Sequence, residues 1–502
     1  MGSVRIPGER CQTLSNNIRQ HYCVEHFSSI SYFKCILPFL EHLQSELSLE
    51  KVFNMTGSKS TVSVSKSLSP WILVLLCLLV TIDAQLLERK IITRDGSNFT
   101  RKSFSLTQNK NPNWEPREIP VTDIYARPFR KHRIRMPKEL REGVMELAAE
   151  ESNSTSLKHK RANGVKTKDN NGLYTYPVGM GEDLNYNPVQ TLQILFDTGS
   201  GDFWVWSWLM PETITQGRRI YNASNSHHSA RWPGQSFNIP YASGSAYGLV
   251  YQDTVWADGE LGLQGTPVEC AQDVGGDRLK QLTNVDGIMG LNTWTTDSES
   301  PQPQQTWLSF LLDYQVVEHG LEPVFTIALV RNGIGTMDFG VIDKSKYTGN
   351  IIWTPVVPTP GWAESGYWLF EWSGWAIGKG AFNRATKLVL TDSGTNLTLL
   401  PLSMAKKYYA QVAGAYQLST GFWTFPCAST LPSFTFGIGS ARVTIQSKNM
   451  VFLELDDNVM CLGAIQNTEE DGFVLLGTPW LEGLFLVHDY GRKRLGFAAR
   501  TN

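Results

Sequence analysis

A five-residue acidic turn occurs twice in this chain, as Phe196-Asp197-Thr198-Gly199-Ser200 and as Thr391-Asp392-Ser393-Gly394-Thr395. Each copy follows a β-type apolar run, at 192–196 and 388–390, and each leads into more hydrophobic chain. One such turn is ordinary surface punctuation. Two in matched settings constrain the chain to two related halves that bring the turns face to face across a pseudo-twofold axis.

The chemistry of the repeat is specific. Carboxylates about 3 Å apart cannot both ionise easily, so one serves as base while its protonated neighbour serves as acid. Asp197 and Asp392 are therefore the candidate catalytic pair, and an activated water is the nucleophile. Gly199 and Gly394 are expected to let the chain turn tightly beneath each carboxylate, and Ser200 and Thr395 to orient it by hydrogen bonding. The mechanism calls for neither a covalent intermediate nor a metal.

Other chemistries leave no pattern. There is no Gly-rich phosphate loop, no Rossmann strand-turn-helix and no Gly-x-Ser-x-Gly elbow. No Cys/His spacing suits zinc or haem, and His227-His228 lies in a Ser/Asn-rich stretch that reads as solvated loop. No cofactor or metal is expected.

Of 502 residues, 41% are hydrophobic and the formal charge is only -2. That balance hides an asymmetry: residues 85–161 hold 17 Lys and Arg against 10 Asp and Glu, net +7, whereas residues 162–502 are net -10. A basic cluster can signal nucleic acid or membrane binding. Between a signal-like segment and an acidic β-rich body, it reads instead as a leader, and no nucleic-acid partner or stable membrane association is expected.

The signal-like segment is an apolar run at 71–82, too short for a comfortable span and suited to a signal-peptide core ending near Ala84. Met55 just upstream would start such a peptide, so residues 55–84 read as signal peptide and 1–54 as an extension of the gene model. The alternative is a signal-anchor with a cytosolic tail. From Gly172 onward, short β-branched and aromatic runs alternate with Gly, Asn, Asp and Pro turns, and helical periodicity is confined to places such as 306–314 and 402–413. Glycosylation sequons begin at Asn98, Asn153, Asn222 and Asn396, the last expected to be inaccessible and unmodified.

The chain resembles the pepsin family of aspartic endopeptidases, most closely its secreted fungal, penicillopepsin- and aspergillopepsin-like branch. The resemblance runs from about Tyr174 to the C-terminus. Besides the two aspartates it rests on Trp204, on the flap-like stretch from Phe237 to Ser245, on Gly287-Ile288-Met289-Gly290-Leu291 and Leu475-Leu476-Gly477, and on the ending Leu495-Gly496-Phe497-Ala498. It implies an all-β, bilobal, pepsin-like double β-barrel with a few short helices, its lobes at 162–355 and 356–502. Tyr241 would be the flap tyrosine, and Ser243, Gly244, Ser245 and Trp204 would line the flap and substrate cleft. It further implies a disulfide between Cys427 and Cys461, with Cys270 left free or buried.

Departures from the family pattern are Gly201 for Ser, Ala242 for Gly, Asn396 for Ser or Thr, and an unusual entry loop at 181–190. The stretch Asp123 to His132 resembles the propeptides of fungal relatives, so residues 85–161 are expected to be a basic propeptide cut near Lys160-Arg161. At least one of Arg127, Arg130 and Lys131 is expected close to the aspartates. Some fungal relatives carry an acidic third flap residue that supports cleavage after Lys; Ser243 stands here. The expectation is thus a secreted or vacuolar, monomeric acid endopeptidase that cuts polypeptides between hydrophobic residues. Its rivals are a catalytically silent pepsin-like binding protein, which the intact aspartates and glycines disfavour, and a membrane-anchored processing protease, which the lack of a hydrophobic tail disfavours.

Overall fold

The structure, a computed structural model, describes residues 89–94, 103–108, 118–152, 166–168, 173–241, 244–275, 285–294, 297–319, 322–331, 333–358, 366–455, 459–470 and 473–501. The expected signal peptide, the extension before it, the Lys160-Arg161 site, the sequons at Asn98 and Asn153, and Ser243 lie outside these residues, as does the side chain of Tyr241.

β-Structure dominates, and the two halves repeat one motif. In the first, strand Gln190–Asp197 runs parallel to Gly287–Gly290, which pairs antiparallel with Phe203–Trp206. In the second, Lys387–Thr391 runs parallel to Val474–Leu476, which pairs antiparallel with Thr398–Pro401. Both acidic turns thus leave the C-terminal end of a strand braced by the hydrophobic-hydrophobic-Gly segment of its own half, Gly290 opposite Asp197 and Leu476 opposite Thr391. The strand entering the first turn is buried without interruption from Leu192 to Asp197, as expected of a strand covered on both faces.

An eight-stranded sheet carries the first motif and a five-stranded sheet the second. A six-stranded sheet draws on both halves, ordering Tyr347–Pro355, Arg494–Arg500, Leu484–Asp489, Val324–Ala328, Thr336–Phe339 and Phe104–Thr107. The flap-like hairpin pairs Ala230–Tyr241 with Gly244–Ala257, Phe237 opposite Gly248 and Tyr241 opposite Gly244. Helices Trp307–His319 and Leu402–Tyr409 fall where the periodicity placed them. Among the described residues, no helix is long and apolar enough to cross a membrane.

The basic segment contributes more regular structure than its composition suggested. Lys90–Ile92 pairs with the Leu261–Gly275 strand, Phe104–Thr107 edges the six-stranded sheet, and two helices follow, Val121–Lys131 and Lys138–Ser152. The first helix was hidden by its charges and by Pro128. Its apolar residues Val121, Ile124, Tyr125 and Phe129 nevertheless recur at helical spacing, and all are fully buried against Leu390, Leu397, Phe422 and Leu475. Tyr125 anchors it, its hydroxyl donating to the Asn467 carbonyl at 2.5 Å and accepting from the Asn467 amide at 3.1 Å.

Cys427 and Cys461 form a disulfide, and Cys270 is a buried free thiol. Asn396 is buried at 2% exposure, whereas Asn222 is partly exposed and caps a short 3-10 turn.

Candidate active site

The two acidic turns meet by exchanging hydrogen bonds. The Thr198 amide donates to Ser393 Oγ at 3.0 Å and the Ser393 amide donates to Thr198 Oγ1 at 3.0 Å. The hydroxyls pass the bonds on, Thr198 Oγ1 to the Thr391 carbonyl at 3.1 Å and Ser393 Oγ to the Phe196 carbonyl at 2.8 Å. Four polar groups that burial would otherwise orphan are satisfied between the halves. The sequence showed these hydroxyls; their partners lie nearly two hundred residues away.

Within each turn the carboxylate is held the same way. Ser200 Oγ donates to Asp197 Oδ2 at 2.6 Å and the Gly199 amide to Oδ1 at 2.9 Å. Thr395 Oγ1 donates to Asp392 Oδ2 at 2.5 Å and the Gly394 amide to Oδ1 at 2.9 Å. The two glycines serve a different end from the one expected. Neither has positive φ, so the turn itself does not demand glycine. A methyl on Gly394 would instead lie 2.3 Å from Asp197 Oδ1, and one on Gly199 would lie 2.7 Å from Asp392 Oδ1. Each glycine makes room for the opposite carboxylate.

Trp204 is buried with Phe237 and Ile239 beneath the flap-like strand. Ser245 continues the hairpin's second strand opposite Pro240 and Gly275.

A cation from the basic segment occupies the space between the aspartates. Lys131 Nζ lies 2.7 Å from Asp197 Oδ1, 2.8 Å from Asp392 Oδ1 and 2.9 Å from Asp392 Oδ2. His132 Nε2 lies 2.8 Å from Asp392 Oδ2, and its ring packs edge-on against Tyr367. The end of the preceding helix aims both side chains. Arg133 adopts the left-handed conformation, φ 53°, and the Ile134 amide reaches back to the Phe129 carbonyl at 2.7 Å, as at many helix C-termini. Of the three basic residues singled out from the sequence, Lys131 is the one that reaches both aspartates; His132 had not been singled out.

Electrostatics distinguishes the two aspartates. Burial pushes the Asp197 carboxyl up, with the Asp392 charge adding to it and Lys131 opposing. Burial acts on Asp392 too, but there the Lys131 charge and the His132 hydrogen bond outweigh it and hold the carboxyl well below its ordinary value. Lys131 is itself raised, since the two carboxylates outweigh its desolvation. A buried ammonium between two buried carboxylates is a tight ion cluster that fills the space between them.

The sequence model of the family described as eukaryotic aspartyl protease matches residues 174–500. Similar proteins include endothiapepsin of Cryphonectria parasitica, 34% identical over 79% of this chain and 90% of the relative. Aspergillopepsin-1 of Aspergillus flavus is 32% identical over 81% and 93%, and penicillopepsin-3 of Penicillium janthinellum 32% identical over 79% and 92%.

Proposed function

Since the chain belongs to the eukaryotic aspartyl protease family and is an aspartic-type endopeptidase acting on polypeptides, we propose that Asp197 and Asp392 are its catalytic dyad and that residues 85–161 are a propeptide holding it inactive. The observation that carries this reading is the Lys131 ammonium bonded to both aspartates at once. Nothing in peptide hydrolysis requires a lysine there, and while it stays no water can be activated between the carboxylates.

Once the propeptide leaves, the dyad loses its cation and takes up one shared proton from solvent. The ionised member takes a proton from a water that attacks the scissile carbonyl, and the protonated member donates a hydrogen bond to the developing oxyanion. Ser200, Thr395 and the two glycine amides hold the carboxyl oxygens in place throughout, so little reorganisation is needed during the reaction. The flap-like hairpin, in which Tyr241 stands opposite Gly244, closes over an extended peptide. With no carboxylate at Ser243 to offset desolvation of a lysine, the cleft favours apolar residues on both sides of the bond. Maturation at Lys160-Arg161 and export through the secretory route, to the exterior or the vacuole, complete the reading.

The test is substitution of each aspartate. Asp197→Asn and Asp392→Asn in the processed enzyme should each lower kcat by at least about a thousandfold. Full turnover by either would remove the dyad.

A further inference from the structure

Behind the first acidic turn, outside the catalytic pair, lies a second group of carboxylates. Glu269, Asp297 and Glu299 each present an oxygen, and the three oxygens lie within 4.8 Å of one another. They line a cavity of about 10 Å³ together with Gly201, Gln305 and Trp307. Asp202, buried close by, adds a fourth negative group whose charge bears on Glu269.

Bonding within the group is incomplete. Asp297 Oδ1 accepts from the amides of Gln304 at 2.7 Å and Glu299 at 3.1 Å, and Asp202 Oδ1 accepts from the Ser298 amide at 2.7 Å. Glu269, 1% exposed, has no hydrogen-bond partner on either carboxylate oxygen, and Glu299, 2% exposed, has none on Oε1. A buried carboxylate with both oxygens bare is among the costliest arrangements a fold can hold. The cationic group that bears on Asp297 and Glu299 is Arg89, whose guanidinium reaches Gln305 Oε1 at 3.4 Å from the basic segment.

We propose that this cavity is a binding site for one divalent cation of the hard, oxygen-seeking class, with Glu269, Asp297 and Glu299 as its anionic ligands. The expected ion is calcium. Oxygens sharing one Ca²⁺ at 2.3–2.6 Å can stand as much as about 4.6–5.2 Å apart, a span the three oxygens meet, whereas Mg²⁺ usually keeps several waters, for which this cavity has no room. The cavity suits one ion, since about 10–15 Å³ is the room one water needs. A water would leave the charges uncompensated; a dication neutralises two of them. The ion would tie the Asp297–Glu299 stretch to the Leu261–Gly275 strand, and it matters most once the propeptide takes Arg89 away. The expectation of no metal rested on Cys/His spacing, which carboxylates at 269, 297 and 299 do not follow.

The test uses the full-length proprotein at pH 7 after treatment with EDTA, so it does not depend on catalysis. Terbium, a Ca²⁺ surrogate, should give saturable emission on tryptophan excitation, because Trp307 lines the cavity, and Ca²⁺ should displace it. Glu269→Gln should weaken terbium binding at least about tenfold. Trp307→Phe should lose most of the sensitised emission while keeping a Ca²⁺-dependent rise in melting temperature. Emission unchanged in Trp307→Phe would place the ion elsewhere and overturn the proposal. So would a wild-type protein with neither sensitised emission nor a Ca²⁺-dependent melting shift, in which protons alone satisfy the cluster.

Discussion

Thr198 and Ser393 each donate a backbone N–H to the other's side-chain oxygen, both at 3.0 Å, and so fasten the two aspartate turns to one another. The aspartates share one site because this exchange sets the spacing of their turns. Losing one hydroxyl leaves a buried N–H without an acceptor, at a cost of about 1–3 kcal/mol. Thr198→Val should therefore lower stability by about that amount and reduce kcat, whereas Thr198→Ser should keep both close to wild type. Thermal melts and peptide hydrolysis measure the pair, and a valine variant indistinguishable from wild type would refute the role.

Acid should open the lysine lock. Asp392 is held below its ordinary value when Lys131 and His132 are bound, so that contribution is fully present above the ordinary carboxylate range and is lost as pH falls through the lowered value. Asp197 runs the other way, because burial raises it and its ionisation at rising pH opposes the locked state. With Lys131 and His132 both on Asp392, its effect sets the sign. A proprotein made uncleavable by Lys160→Ala and Arg161→Ala should be silent near neutral pH and gain activity on acidification, and adding Lys131→Gln should move that onset to higher pH. Identical pH profiles with and without Lys131 would dismiss the lock.

Gly394→Ala tests the close approach of the carboxylates. The added methyl would meet Asp197 Oδ1 at 2.3 Å and must displace it. Misplacing a reacting group by about 1 Å costs on the order of a hundredfold in rate. We expect a folded protein with kcat reduced by at least that factor, checked by circular dichroism beside single-substrate kinetics; retention of half the activity would show that the turn has slack.

Cleavage after lysine should be weak and should improve when the flap gains a carboxylate. Ser243→Asp would compensate the desolvated ammonium and raise kcat/KM for a lysine substrate about tenfold. Peptide-library profiling decides the matter, and a wild-type preference for lysine would reject the argument.

The Cys427–Cys461 bond closes a loop with a sequence separation of 34, and chain entropy assigns such a crosslink about 3–4 kcal/mol. Replacing both cysteines with alanine should lower the melting temperature by several degrees. Mapping of non-reduced peptides should recover Cys270 as a thiol; finding it paired would contradict the assignment.

The sequence by itself determined the two-halved β body, the aspartates and the hydroxyls beside them, because these are local signals: strand runs bounded by turns, and a pentapeptide repeated in matched settings. It also showed a basic segment ahead of an acidic body, and hence which two parts attract. The helix at Val121–Lys131 was legible in principle through the spacing of Val121, Ile124, Tyr125 and Phe129, but Pro128 and the surrounding charges masked it. Tertiary structure alone decided that Lys131 and His132, rather than Arg127 or Arg130, meet the aspartates, since the helix phase and the left-handed Arg133 set that aim. It alone decided that Gly199 and Gly394 serve the opposite half, that Thr198 and Ser393 bond across the axis, and that Glu269 joins Asp297 and Glu299. Each of these is a contact between segments remote in the chain, created when burial removes water and leaves polar groups only one another as partners.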